Sequence, residues 1–178
     1  MLGCYNNFPR NIHGTLSFQY LDSAKGLQQA ILGTFHRLNS ESFDLGAVTP
    51  YLKQSCVVGF EFGVADGFDF NFLDQNELIR CLKSVDETEM ETLDFFFAVR
   101  YHLINDDRKR VPLKFDYHVI RFLFQEGGLE LQIRHEKGTQ RVPLDDLTAF
   151  LVEQINAELS RKHLAPLFCG NFGKVIIT

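Results

Sequence analysis

The feature that most constrains this chain is the run from Asp94 to Val142, where apolar side chains return at every second position through strand after strand. In its first part Phe95, Phe97, Val99, Tyr101 and Leu103 share one face, while Asp94, Arg100 and His102 share the other. A strand sends successive side chains to opposite faces, so this period predicts a half-buried strand over 94–104. The pattern returns with Leu113, Phe115, Tyr117 and Val119 on the apolar side and Lys114, Asp116 and His118 on the polar side. The connection 105–112 is polar and ends in proline, as a loop does. Matching the apolar faces sets Tyr101 near Phe115 and Arg100 near Asp116, or, two residues along, His102 near Asp116. Only a one-residue slip would exchange the faces.

After Val119 the apolar set becomes Ile120, Phe122 and Phe124. Such a change of phase predicts one long strand over 113–125, bent or bulged near 119–121. A turn at Gly127-Gly128 leads to Leu129, Leu131 and Ile133. A two-residue turn at Lys137-Gly138 then sets Ile133 opposite Val142, making four antiparallel strands in series.

Around this meander the chain reads in order as follows. Ile12 to Leu21 is a strand with Leu16, Phe18 and Tyr20 on one face. Asp22 and Ser23 offer caps for a helix to about Leu38, with Leu27, Ile31, Thr34, Phe35 and Leu38 as its apolar stripe. Within 40–55, Thr49-Pro50 suits the start of a helical turn. Cys56 to Leu73 is a hairpin, and a three-residue Ala65-Asp66-Gly67 loop pairs Val64 with Phe68 and Phe62 with Phe70, with Gly67 left-handed. Asp74 and Glu77 form a capping box for a helix whose buried side is Leu78, Ile79, Leu82 and Val85. The acidic run Asp86, Glu87, Glu89 and Glu91 lacks the glycine-centred spacing of a calcium loop and reads as a solvated connection. Asp145 caps a last helix near 146–162, with Leu147, Phe150, Leu151, Ile155 and Leu159 facing the core. Lys174 to Thr178 is a short apolar strand, expected to return to the chain's own sheet beside the first strand, the alternative being addition to a neighbouring subunit by strand exchange.

Composition excludes several function classes. A net charge of −5 and a pI near 5.6 oppose nucleic-acid binding, and the one basic run, Arg108-Lys109-Arg110, follows directly on Asp106-Asp107. No apolar run approaches the roughly 18 residues of a membrane span, and residues 1–10 lack the layout of a signal peptide, so a cytoplasmic location without membrane association is expected. Cys4, Cys56, Cys81 and Cys169 are scattered without CxxC spacing, so they read as free thiols, with no metal site. Eighteen Phe and no Trp predict a core built largely from phenylalanine. No composition break divides the chain, so 1–178 reads as a single α+β domain.

No nucleotide, hydrolase or metalloprotease motif is present, and no cofactor is implied. The candidate catalytic cluster is the polar face of the central hairpin: Arg100, His102, Asp116 and His118, with Lys114 beside them. Aspartate next to histidine can orient a general base, and arginine can hold a carboxylate or phosphate. The competing reading is an ordinary solvated sheet face with charges paired across strands. Gly59, Glu61 and Gly63 share the second face of the first hairpin and are candidate ligand-binding positions, since glycines there leave room for a ligand or a ring. His135-Glu136 is expected to be exposed, and His13, His36 and His163 show no evident partners.

The fold expected is α+β, a predominantly antiparallel, bent sheet with helices on one face. That order of elements is similar to the helix-grip folds, which bind apolar ligands between a curved sheet and the last helix. The likeness is architectural, and the helix at 75–85 and the tail after 163 depart from that plan. The function expected first is a binding module for an apolar or mixed small molecule, or for a protein. The alternatives are an enzyme using the Arg100/His102/Asp116/His118 face, and an assembly protein forming a homodimer.

Overall fold

The computed structural model describes residues 1–50, 55–104, 107, 109–112, 115–169 and 173–174. In chain order the elements are β1 (Gly14–Gln19), α1 (Ala24–Leu38), β2 (Ser42–Asp44), α2 (Leu45–Val48), β3 (Cys56–Asp66), β4 (Asp69–Phe72) and α3 (Gln75–Glu87), then β5 (Thr92–Ile104), β6 (Arg110–Pro112), β7 (Asp116–Gln125), β8 (Gly128–Lys137), α4 (Leu144–Arg161), β9 (Phe168–Cys169) and β10 (Gly173–Lys174). The strands join in one antiparallel sheet ordered β10-β1-β8-β7-β5-β3-β2, with β4 beside β3, β6 beside β5 and β9 beside β1. The helices pack on one face of it. This is the α+β architecture that the element order implies.

The helix-covered, inner face is a phenylalanine core. Phe35 of α1 stacks on Phe62 at 4.1 Å and meets Phe95 edge-on at 4.7 Å and Phe122 at 5.9 Å between ring centroids. Phe150 of α4 stacks on Phe60 at 5.7 Å. Phe35, Phe60, Phe62, Phe95 and Phe122 are fully buried, so these rings pack against one another and against their described neighbours. Both predicted stripes, on α1 and on α4, lie in this core.

Local chemistry explains the helix ends. Ser23 Oγ accepts the Gly26 N–H at 3.2 Å, and Asp74 Oδ1 accepts the Glu77 N–H at 2.8 Å. α2 ends at Val48, before Thr49-Pro50; the turn expected to begin at Thr49-Pro50 would run on through residues 51–54, which lie outside the described residues. Proline disfavours the helical region for the residue before it, and Thr49 is extended (φ −138°, ψ 101°). On α3 the buried residues are Cys81 and Val85, while Ile79 is 56% exposed. α4 starts at Leu144 without a side-chain cap, so Asp145 is a first-turn residue rather than the cap, favoured there by the macrodipole. Among the described residues no helix is long and apolar enough to cross a membrane.

Three expected registers are corrected. The β3–β4 turn has two residues, Gly67 (φ +70°) and Phe68, and pairs Val64 with Asn71 and Ala65 with Phe70. Phe68, Phe70 and Phe72 therefore leave the inner face. β7 shows no change of phase: Asp116 and His118 continue the inner set of Ile120 and Phe122, and the irregularity lies in β8, where Glu136 is the extra residue between the pairs Tyr117↔Lys137 and His118↔His135. The Lys137-Gly138 hairpin is absent, because β8 ends at Lys137 and the following segment turns over the sheet end. Leu113 and Lys114, most of the loop 105–108 and the tail 175–178 lie outside the described residues. For Gly173 and Lys174 the expected return to β1 holds, through Thr15↔Gly173 and Gly14↔Lys174.

Residues 1–13 form a strap across the outer face. Gly3 bridges β3 and β5, donating to Ala65 O at 2.7 Å and accepting from the Asp94 N–H at 2.7 Å. A Cβ there would sit 2.7 Å from Met90 Sδ, and φ is +89°, so the bridge requires glycine. Asp94, fully buried, then accepts the Tyr5 N–H and pairs with Arg121, whose guanidinium lies 4.1 Å from the centre of the Phe8 ring. Farther along, Arg134 donates to Asn11 O at 2.7 Å.

Candidate functional site

The cluster expected on one polar face is divided between two. β5 and β7 pair as Val99↔Asp116 and Phe97↔His118, an odd number of residues from both expected alignments: one from Arg100–Asp116 and three from His102–Asp116. A one-residue difference exchanges faces. Asp116 and His118 therefore point into the helix-covered side, whereas Arg100 and His102 stay on the outer face. Lys114 lies outside the described residues. The four proposed catalytic residues do not converge.

At the inner end, Asp116 is an anchor. Its carboxylate accepts the Tyr101 hydroxyl at 2.8 Å and the backbone N–H groups of Gln140 at 2.7 Å and Arg141 at 3.0 Å, and it lies 3.3 Å from His135 Nε2. Burial alone would raise its pKa, but the hydrogen bonds from Gln140, Arg141, Tyr101 and His135 together outweigh it and hold the carboxyl below the ordinary range. Burial, together with that carboxylate, pushes the Tyr101 phenol well up, so it remains a donor. His118 stacks on Phe97 at 5.0 Å and meets the His135 ring at 5.1 Å. Its burial, and then the neighbouring His135, pushes its pKa down to about 3, so the ring is neutral near pH 7. His135 is thus part of this network rather than exposed, and His13 Nδ1 accepts the His135 N–H at 3.0 Å.

The helix-free outer face carries a row of rings. Centroid separations are 4.6 Å for Tyr5–Phe70, 5.7 Å for Phe70–Phe96, 5.8 Å for Phe96–Tyr117 and 6.3 Å for Tyr117–Phe115. Between these rings and the strap lies a groove of about 500 Å³, within the size range of small-molecule sites, walled by Tyr5, Asn7 and Pro9 and floored by Phe70, Phe96 and Val119, with Glu136 at its side. Two other surface grooves, of about 520 and 490 Å³, lie near the acidic connection and contain no comparable row of rings.

Gly59, Glu61 and Gly63 share this outer face as expected. Gly59 pairs with Arg100 and Glu61 with Ala98. A Cβ on Gly63 would press on Phe70 Cβ and the Asn71 carbonyl oxygen, each at 3.3 Å, so that glycine admits the close approach of β4. The strap and the ring row escaped the sequence reading. One signal was present: Phe95-Phe96-Phe97 places an apolar ring on the face assigned to polar residues, which happens where both faces are covered.

Among the described residues no group of three or more His, Cys, Asp or Glu is placed to hold a metal ion. Cys4, Cys56 and Cys81 are free, and burial pushes the Cys81 thiol up to about 12, which keeps it unreactive near neutral pH. Comparison with protein-family models, curated proteins and solved structures finds no match to this chain.

Proposed function

We propose that this chain is a binding module that holds a planar, largely apolar small molecule in the outer-face groove. The observation that carries the reading is the set of rings Tyr5, Phe70 and Phe96, which with the strap line a concavity of about 500 Å³, Tyr117 stacking on Phe96 beyond it. Aromatic faces prefer offset or tilted partners a few ångströms away, and a planar ligand meets that preference along the whole row. A concave, mostly apolar site with few polar groups suits a small molecule better than a flat protein surface.

The test uses N-phenyl-1-naphthylamine, a neutral aromatic probe, titrated by calorimetry. The folded chain should bind it saturably with one site, and Phe96→Ala should weaken binding on the order of tenfold, the effect of removing one stacked ring. Non-saturable uptake, or unchanged affinity in the Phe96 variant, would count against the groove.

A further inference from the structure

We infer that the outer-face groove selects an aromatic molecule bearing an acidic group (carboxylate, sulfonate or phosphate) and that Arg100 and His102 receive that group. This rests on the aromatic-binding reading above and names the ligand class for it.

Arg100 and His102 occupy consecutive outer-face positions of β5. Arg100 Nε and His102 Nδ1 are both buried, and neither has a hydrogen-bond partner among the described residues. Buried nitrogens are normally paired, so two orphans side by side mark a place where a partner is missing. Gly59 sits opposite Arg100, and its ideal Cβ position lies 3.8 Å from both Nε and Nη2. The guanidinium therefore rests over bare backbone, and a larger residue at 59 would displace it. Among the described residues no acidic side chain pairs with it. Glu61 is exposed and forms no ion pair with it, and Glu136 engages Arg134 at 3.2 Å. Tyr117 pairs with Ala98, which lies one outer-face step, about 7 Å, from Arg100. The short side chain of Ala98 leaves the floor low between ring and guanidinium. Arg100 and His102 lie beyond the residues that line the groove. The ligand's ring must therefore extend past Phe96 onto Tyr117, stacked at its side, to bring an acidic substituent toward Arg100, whose planar fork suits two-oxygen acceptors.

The experiment compares 8-anilino-1-naphthalenesulfonate with N-phenyl-1-naphthylamine, the same ring system without the sulfonate. The wild-type chain should bind the sulfonate on the order of tenfold more tightly. Arg100→Gln should bring the ratio of the two affinities close to one, and so should Gly59→Leu, which keeps the arginine but displaces its guanidinium. Thermal melting confirms that each variant is folded, and the wild-type ratio needs no variant at all. Equal affinities in the wild type, or a preference that survives both substitutions, overturns the acidic-group inference. If the neutral probe binds and Phe96→Ala weakens it while the sulfonate has no advantage, the groove reading stands and this one falls. If neither probe binds, both fall.

Discussion

Asp116 gathers one hydroxyl and two backbone N–H groups onto a single buried carboxylate, and through Gln140 and Arg141 it holds the segment that leads into α4. An amide there would turn an NH₂ toward donors that need an acceptor. Asp116→Asn should therefore lose about 3 kcal/mol, within the range for stranding hydrogen bonds to a charged group. Urea unfolding measures it, and a loss under 1 kcal/mol would show that the carboxylate is dispensable. Acid should act through the same network. The folded pKa of His118 is about 3 against 6.5 unfolded, so between those values the unfolded chain takes up a proton that the folded chain refuses. Stability should fall as pH drops below about 6.5, by up to about 1.4 kcal/mol per pH unit for this one group. His13, lowered mainly by burial, has the same sign. Asp116, also lowered, adds its loss below the ordinary carboxylate range. Urea midpoints at pH 7.5, 6.0 and 4.5 test this, and His118→Gln should flatten the upper part of the trend. A wild-type midpoint that is level from pH 7.5 to 4.5 would contradict it.

Among the elements, the strap of residues 1–13 contributes most beyond what its length suggests. It covers the Asp94–Arg121 pair and supplies a wall of the groove. Removing residues 1–9 should lower the melting temperature and weaken binding of N-phenyl-1-naphthylamine at least tenfold, since an open aromatic face lacks the enclosure of a concave site. A shortened chain that binds as tightly as the full one would place the probe elsewhere. The β3–β4 hairpin depends on the same strap. Phe70 could turn outward because Tyr5 meets it at 4.6 Å, whereas Phe68 and Phe72, without such cover, are 68% and 52% exposed.

For the whole molecule, β10 and β9 both lie along β1, so residues 168–169 and 173–174 add to the chain's own sheet. Deleting residues 173–178 should lower thermal stability and leave the mass in solution unchanged. Light scattering on both forms decides between this and strand exchange, which predicts that a larger assembly dissociates on truncation.

Much of the fold was legible because its signals are local. Alternation in 94–104, the stripes of α1 and α4 and the caps at Ser23 and Asp74 each depend on residues within a few positions of one another. The candidate site was legible only as residue types. At Phe115, Tyr117 and Val119 the outer face is apolar too, so alternation alone could not say which set turns inward. The choice fell to contacts distant in sequence: Tyr101, Gln140 and Arg141 satisfy Asp116 on the inside, and Tyr5 covers Phe70 on the outside. A buried carboxylate is tolerable only when donors reach it, and those donors come from other elements. The sequence by itself determined which segments become strands and helices. The tertiary structure decided which face of β7 is the inside, and so separated Arg100 and His102 from Asp116 and His118.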